Sequence, residues 1–223
     1  ASMRVSQPYG KRYEAESFSE EPKRRYFIAC EGKKTEYQYF KGLIEYRNEI
    51  GIHPLIEIIP LKHEKNTGSN PLNIYKEASE TIKNADNFFA GDFLCIIADR
   101  DKHSFTEVQF DKLVAADNKN KIRLIISNPS IEFWLLLHLC DCKEYNTEKI
   151  AENKKIGNKN QLELWLADKL GVSYNKRMIH FEYNYKDKIR IAIANSKLYT
   201  TDLNQLKNNI GTNIAILIEE MLK

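Results

Sequence analysis

Two groups of acids stand where chemistry is most easily assembled. Glu31, followed by Gly32, closes the apolar run Tyr26-Phe27-Ile28-Ala29-Cys30. Asp99-Arg100-Asp101 closes a second run, Phe93-Leu94-Cys95-Ile96-Ile97-Ala98. Short apolar runs of this kind are buried parallel strands, and residues just past the C-terminal ends of such strands face the crevice where open α/β sheets bind ligands. Glu31, Asp99 and Asp101 gathered there would hold Mg²⁺ (or Mn²⁺), a hard cation that prefers oxygen ligands and acts on phosphates. Gly32 gives the backbone a sharp turn and room for a phosphate, although a solvated loop glutamate has the same sequence. Asp99 and Asp101 alternate, so in an extended segment both face one ion. Two such anions repel unless a cation or a proton intervenes. The competing reading is an Asp-rich turn in which Asp101 caps the next element.

Glu132 is a lone acid in the first turn of an apolar helix, directly after Ser127-Asn128-Pro129-Ser130. It reads either as a further metal ligand or support, or as an acid favoured by the helix dipole. Ser127 and Ser130 are candidate phosphate contacts at that helix start. Glu36, shortly after Glu31, is a supporting or second-metal ligand, or an exposed acid in a first turn. Lys33 and Lys34 lie among the first acids, and Arg100, Lys102 and His103 among the second. Cations interleaved with metal-binding acids suit a polyanionic substrate whose transition state gains charge; pairing with their acidic neighbours is the simpler alternative. Residues 175–190 mix bases (Lys176, Arg177, His180, Lys186, Lys188, Arg190) with Phe181, Tyr183 and Tyr185. That composition fits a nucleic-acid surface and equally an ordinary subdomain with exposed tyrosines. No P-loop, dinucleotide-binding glycine pattern or nucleophilic serine motif occurs.

Four strands must position these groups: Tyr26–Cys30, 56–61, 93–98 and 123–127. Helices are expected between them. One over 35–46 opens with Thr35 and Gln38 at capping-box spacing. One over 71–84 begins with Pro71 at a favoured first position. One over 106–117 follows Ser104 and Glu107, again at capping-box spacing. One over 131–139 is apolar nearly all round and should be central. Strands alternating with helices define a parallel α/β sheet with right-handed crossovers. Three regions follow: a polar N-terminal arm over 1–24, an α/β core over 25–140, and a mainly helical extension over 141–223 packed on the core, with 189–193 read as helix. Residues 62–70 read as a loop.

The 223 residues carry 42% hydrophobic side chains and a net charge of +3, enough for a sizeable core and too little charge to argue for nucleic acid by itself. The sequence shows no secretory segment and no membrane-spanning stretch, so a cytoplasmic location is expected. Cys30 and Cys95 lie in strand runs. Cys140 and Cys142, one residue apart, lack the usual zinc spacing and read as packing residues, a metal cluster with His138 being the alternative. His138 itself reads as a satisfied core histidine.

The strings Cys30-Glu31-Gly32-Lys33-Lys34-Thr35-Glu36-Tyr37-Gln38-Tyr39-Phe40, Asp99-Arg100-Asp101 and Ser127-Asn128-Pro129-Ser130-Ile131-Glu132-Phe133-Trp134-Leu135-Leu136-Leu137-His138 together resemble the RloB-like family, in order and spacing, from about Arg24 to the C-terminus. The resemblance implies a prokaryotic protein of restriction-linked, abortive phage defence, working with an ABC/AAA-type ATPase. It also implies a Toprim-like core, the α/β module of topoisomerases, primases and OLD-family nucleases. On that resemblance Glu31 serves acid–base or metal chemistry, Asp99 and Asp101 bind Mg²⁺, and Glu132 matches an additional acidic position. Glu36 stands where the commonest Toprim spelling has Asp. Residues and resemblance together point to Mg²⁺-dependent cleavage of DNA or RNA by Glu31, Lys33, Asp99 and Asp101, with Lys33, Lys34, Arg100, Ser127 and Ser130 on the phosphate. The alternative is a non-cleaving nucleic-acid or nucleotide sensor of the ATPase; homo-oligomerisation is compatible with either.

Overall fold

The computed structural model describes residues 24–30, 34–61, 70–84, 88, 91–120 and 122–222. In chain order the first elements are β1 (Arg24–Cys30), α1 (Thr35–Glu45), α2 (Arg47–Ile50), β2 (Ile56–Pro60), α3 (Pro71–Lys83), β3 (Phe93–Asp99), α4 (Glu107–Asn120), β4 (Ile122–Asn128) and α5 (Ile131–Leu137). There follow α6 (Thr147–Glu152), β5 (Lys155–Ile156), β6 (Lys159–Asn160), α7 (Gln161–Leu170), α8 (Phe181–Asn184), α9 (Ile189–Ser196), α10 (Leu203–Leu206), β7 (Gly211–Thr212) and α11 (Ile214–Met221). The four expected strands form a parallel sheet in the order β2-β1-β3-β4, and β7 adds antiparallel to β4.

Both faces of this sheet are covered, which is why its strands are near-continuous apolar runs. Tyr26, Ile28, Cys30, Cys95, Ile97 and Ile125 point to one face. There they meet side chains of α1, α5, α7, α9 and α11. Phe27, Ala29, Leu94, Ile96, Ala98, Leu124 and Ile126 point to the other and meet α3, α4 and Leu206 of α10. As expected from its all-round apolar sequence, α5 is wholly buried. The extension beyond residue 140 shares the first cluster with the strands, and it contributes a strand of its own. It is mainly helical and carries three two-residue strands: β5 and β6 pair with each other and β7 joins the main sheet.

That last strand is only two residues long, so β4 would present unpaired backbone along most of its edge. Asn213 supplies the missing partners. Its Oδ1 accepts from the Ile126 amide at 2.7 Å and its Nδ2 donates to the Leu124 carbonyl at 2.9 Å. Gly211 is required here: at φ +155° an added Cβ would lie 1.9 Å from the Thr200 carbonyl oxygen.

Two helix starts differ from the sequence expectation. Ahead of α4 the capping box is formed by Thr106 and Gln109, whose side chains bond each other's amides at 3.3 and 2.9 Å. Ser104 instead donates to Asp101. At α1 no side chain caps the helix; Thr35 and Gln38 reach across to residues 174–179. Gln38 donates to the Lys176 carbonyl at 2.8 Å and accepts from the Ile179 amide at 3.1 Å. These side chains serve the backbone of a remote loop in place of their own helix start. The start of α3 matches expectation, with Pro71 following Asn70, whose side chain accepts from the Leu72 amide at 2.9 Å.

Helix α1 meets the extension through Gly42. A Cβ there would fall 2.3–2.8 Å from the Phe181 ring, which also stacks on Tyr46. Gly42→Ala gains up to about 1 kcal/mol of helix propensity but forces the ring aside at roughly 1–3 kcal/mol. Net destabilisation is expected, read as a lower denaturant midpoint; an unchanged or raised midpoint would contradict the packing.

Candidate active site at the switch point of the sheet

From β1 the chain passes to β2 on one side, then crosses to β3 on the other. The strand order therefore reverses between β1 and β3, and the C-terminal ends of these two strands flank the crevice that such a reversal opens. Cys30, the last described residue of β1, pairs with Ile97, two residues before Asp99. Glu31 and Lys33 lie outside the described residues, as do the arm over 1–23 and the loop residues 62–69.

Asp99 ends β3 partly buried, and its Oδ1 accepts from the Ile131 amide at 2.8 Å. One carboxylate thus ties the strand end to the first turn of α5, where the unbonded helix amides favour an anion. Asp101 is exposed. It accepts from the His103 amide and the Ser104 hydroxyl, both at 3.0 Å; this is the Asp-rich turn of the competing reading, although the next helix, α4, is capped by Thr106 and Gln109. Asp99 and Asp101 engage different partners in different directions. Lys102 and His103 are exposed on the same turn, and Lys34 is exposed at the start of α1.

Arg100 differs from its expected place. Its side chain is 2% exposed, set over the rings of Phe105 and Phe110. It donates to the Lys207 and Phe105 carbonyls at 2.9 and 2.6 Å. Burial lowers its pKa, partly offset by Glu107, Asp101 and Asp111. This arginine fastens α10 to the β3–α4 turn from beneath and does not line the crevice. Ser127 is likewise occupied in the sheet, its hydroxyl 2.9 Å from that of Thr212. Ser130 precedes α5 with its buried hydroxyl unbonded among the described residues.

Glu132 is the centre of a network that local sequence reasoning does not reach. It is 3% exposed. Its Oε1 accepts from the Tyr174 hydroxyl at 3.3 Å and lies 3.4 Å from the Lys176 ammonium. Lys176 also lies 3.6 Å from Glu163 at the start of α7, and Tyr174 lies 3.1 Å from the Thr35 hydroxyl. The starts of α1, α5 and α7 are thus joined through one loop. Burial disfavours the charge on Lys176, but Glu132, then Glu163 and Asp99, outweigh it and hold the ammonium above its usual pKa. Burial and the Glu132 charge push the Tyr174 phenol up, so it remains a donor. Glu36 is buried rather than exposed, and its charge adds to the burial that raises the Cys30 thiol at the end of β1. Asp99, Glu132 and Lys176 therefore share one electrostatic neighbourhood.

The base-and-aromatic segment divides. Phe181 and Tyr185 are core residues and Lys176 turns to Glu132, whereas Tyr183 is 78% exposed and Arg177 and His180 are exposed as well. His138 is buried as expected, with both ring nitrogens bonded: Nε2 to the Tyr39 hydroxyl at 3.0 Å and Nδ1 to the Trp134 carbonyl at 2.9 Å.

Removing Lys176 would leave the Glu132 charge buried with Tyr174 as its described partner. Breaking a fully buried pair costs about 3–5 kcal/mol. The Lys176 side chain is 36% exposed, so solvent screening reduces the expectation for Lys176→Met to roughly 1–3 kcal/mol. Adding Glu132→Gln should recover part of that loss in a double-mutant cycle; additive losses would show that the two side chains do not interact.

The fold is a mostly parallel α/β sheet flanked by helices, consistent with a Toprim-like core. The RloB-like protein family matches residues 26–221 of the 223, and the chain belongs to that family. No curated protein and no solved structure matches it. No helix among the described residues is long and apolar enough to cross a membrane.

Proposed function

We propose that this RloB-like protein is a Mg²⁺-dependent nuclease that cleaves nucleic-acid phosphodiesters in prokaryotic phage defence, together with a partner ATPase. The observation that carries the proposal is the position of Asp99: it ends β3 at the switch point, is bonded to the start of α5, and lies within the electrostatic reach of Lys176, which pairs with Glu132. Carboxylate and hydroxyl oxygens are the donors Mg²⁺ takes. Among the described residues no three His, Cys, Asp or Glu side chains are grouped to hold a metal. Mg²⁺ is commonly held by one or two carboxylates with water and substrate phosphate completing its shell. Asp99 with Glu31, to which the resemblance gives acid–base or metal chemistry, would meet that requirement; Asp101 would join them on release from its turn.

Bound Mg²⁺ would polarise the phosphoryl oxygen and stabilise the leaving oxygen. Glu31 would orient and deprotonate the attacking water. Lys33 and Lys34 would offset charge on the phosphate. Glu132, held by Tyr174 and Lys176, would keep the α5 start in place beneath Asp99, and the Ser130 hydroxyl would donate to a phosphate oxygen.

One observation favours a second reading. Both oxygens of Asp101 are engaged by its own turn and Glu132 is paired with Lys176, an arrangement also suited to a non-cleaving nucleic-acid or nucleotide sensor. Incubation with labelled DNA and tRNA in Mg²⁺ or Mn²⁺, with and without the ATPase, separates the two. Nicking that EDTA abolishes is expected. Binding without turnover under every condition would replace the nuclease with the sensor.

A further inference from the structure

The chain leaves α5 through Leu139-Cys140-Asp141-Cys142, and this turn is clamped from outside. Asn195 donates to the carbonyls of Leu137 and Cys140 at 2.8 and 3.2 Å. The Tyr199 hydroxyl donates to the Asp141 carbonyl at 2.7 Å, and the Tyr145 amide donates to that of Cys142 at 3.1 Å. Cys142 is thereby kept at φ +62°, a left-handed conformation that a side-chain-bearing residue adopts only where its surroundings hold it. The consequence is that its sulfur turns back on its neighbour: the two Sγ atoms lie 3.7 Å apart. His138, two residues before Cys140, points into the core, so it does not complete a metal cluster with them.

The two thiols are unequal in access and in acidity. Cys142 is 1% exposed, whereas Cys140 is partly open to solvent. The hydrogen bond from Cys142 pulls the Cys140 thiol down to about 7, against its burial and with help from Lys169. The same bond, with burial, pushes the Cys142 thiol up. The arrangement supplies an accessible thiolate and, in van der Waals contact, a protonated second thiol. Cys30 and Cys95 are fully buried in the sheet, where burial raises both thiols and makes them inert.

We propose that Cys140-Asp141-Cys142 is a dithiol modification site, converted to an intraloop disulfide by a peroxide. The Cys140 thiolate attacks one peroxide oxygen and the O–O bond breaks; the departing hydroxide takes a proton and leaves as water. Cys140 then carries a sulfenic acid. The Cys142 sulfur attacks the Cys140 sulfur, the S–O bond breaks, and a second water leaves with the Cys142 proton. Two thiols are oxidised by two electrons and one peroxide is reduced. The sulfurs need to close from 3.7 Å to a bond of about 2 Å, a movement within reach of side-chain rotation in a turn. A bidentate trivalent arsenical should bridge the same pair. The site is independent of the nuclease reading.

Hydrogen peroxide added to the full chain should remove the mass of two hydrogens, and peptide mapping should place the bond between Cys140 and Cys142 with Cys30 and Cys95 still reduced. Phenylarsine oxide should add once per chain and block that oxidation. Cys142→Ala should stop at a sulfenic acid on Cys140 that dimedone traps, and Cys140→Ser should give neither product. Over-oxidation of Cys140 without disulfide, or equal oxidation of Cys30 and Cys95, would overturn the proposal. The mapping and the arsenical count use the unaltered protein, so they decide it even where a variant fails to fold.

Discussion

Asp99→Asn is expected to lower metal-dependent cleavage by about 100-fold or more, the several kcal/mol that a metal-held phosphoryl group contributes, while leaving thermal stability close to that of the parent. The two halves of that result have separate causes. An amide oxygen still accepts from the Ile131 amide, so the bond at 2.8 Å that joins β3 to α5 survives. The negative charge does not survive, and with it goes the affinity for a hard cation. Asp99→Ala, by contrast, should lose both, adding a stability loss of about 1 kcal/mol typical of a removed helix cap. Glu31→Gln should match Asp99→Asn in activity. Cleavage assays beside melting curves make the distinction. Retained cleavage in both Asp99→Asn and Glu31→Gln would remove the catalytic assignment, and a large fall in melting temperature for Asp99→Asn would show that its role is structural.

The second large effect concerns acid. Burial holds His138 down to about 3 from an ordinary 6.5, against the stabilising hydrogen bond of its imidazole to the Trp134 carbonyl and with Lys188 adding repulsion. The ring is neutral in the fold, with Nδ1–H donating to Trp134 and Nε2 accepting from Tyr39. In the unfolded chain it takes up a proton near 6.5. The unfolded state therefore binds more protons throughout the interval from about 6.5 down to about 3. The stability contributed by the neutral ring is complete above 6.5 and is lost progressively as pH falls through that interval. A displacement of this size corresponds to roughly 3–5 kcal/mol. Glutamine at this position offers an acceptor to Tyr39 and a donor to Trp134 and has no proton to gain. His138→Gln should accordingly flatten the acid limb of the unfolding free energy between pH 6 and 4, seen in urea titrations at a series of pH values. An acid limb unchanged from the parent would show that His138 does not govern it.

The central strands were legible because they are buried on both faces and are written as near-continuous apolar runs, while the edge strand β2 alternates buried Ile56 and Ile58 with exposed Glu57 and Pro60. The ends of β1 and β3, where polarity returns in the sequence after Cys30 and at Asp99, were legible for the same reason. The apolar helix α5 and its lone acid Glu132 stood out likewise. What neighbouring residues could not reveal is which distant group each polar side chain answers. Arg100 and Ser127 carry chemistry suited to phosphate, yet one is closed under Phe105 and Phe110 and the other is bonded to Thr212. Thr35 and Gln38 have the spacing of a cap and serve a loop some 140 residues away. Lys176 lies in a segment whose composition suggested a surface, and it enters the Glu132 network. β7 is too short to carry a period of its own, and its place follows from Gly211 fitting against Thr200 and Asn213 completing β4.

By itself, then, the sequence determined the layered α/β architecture and the strand end at which Asp99 stands, because hydrophobic burial is a local pattern repeated along each element. Only the tertiary structure decided which acids and cations share one site and which are held elsewhere, because hydrogen bonds and ion pairs are made between whatever groups the packing of remote elements brings within about 3–4 Å.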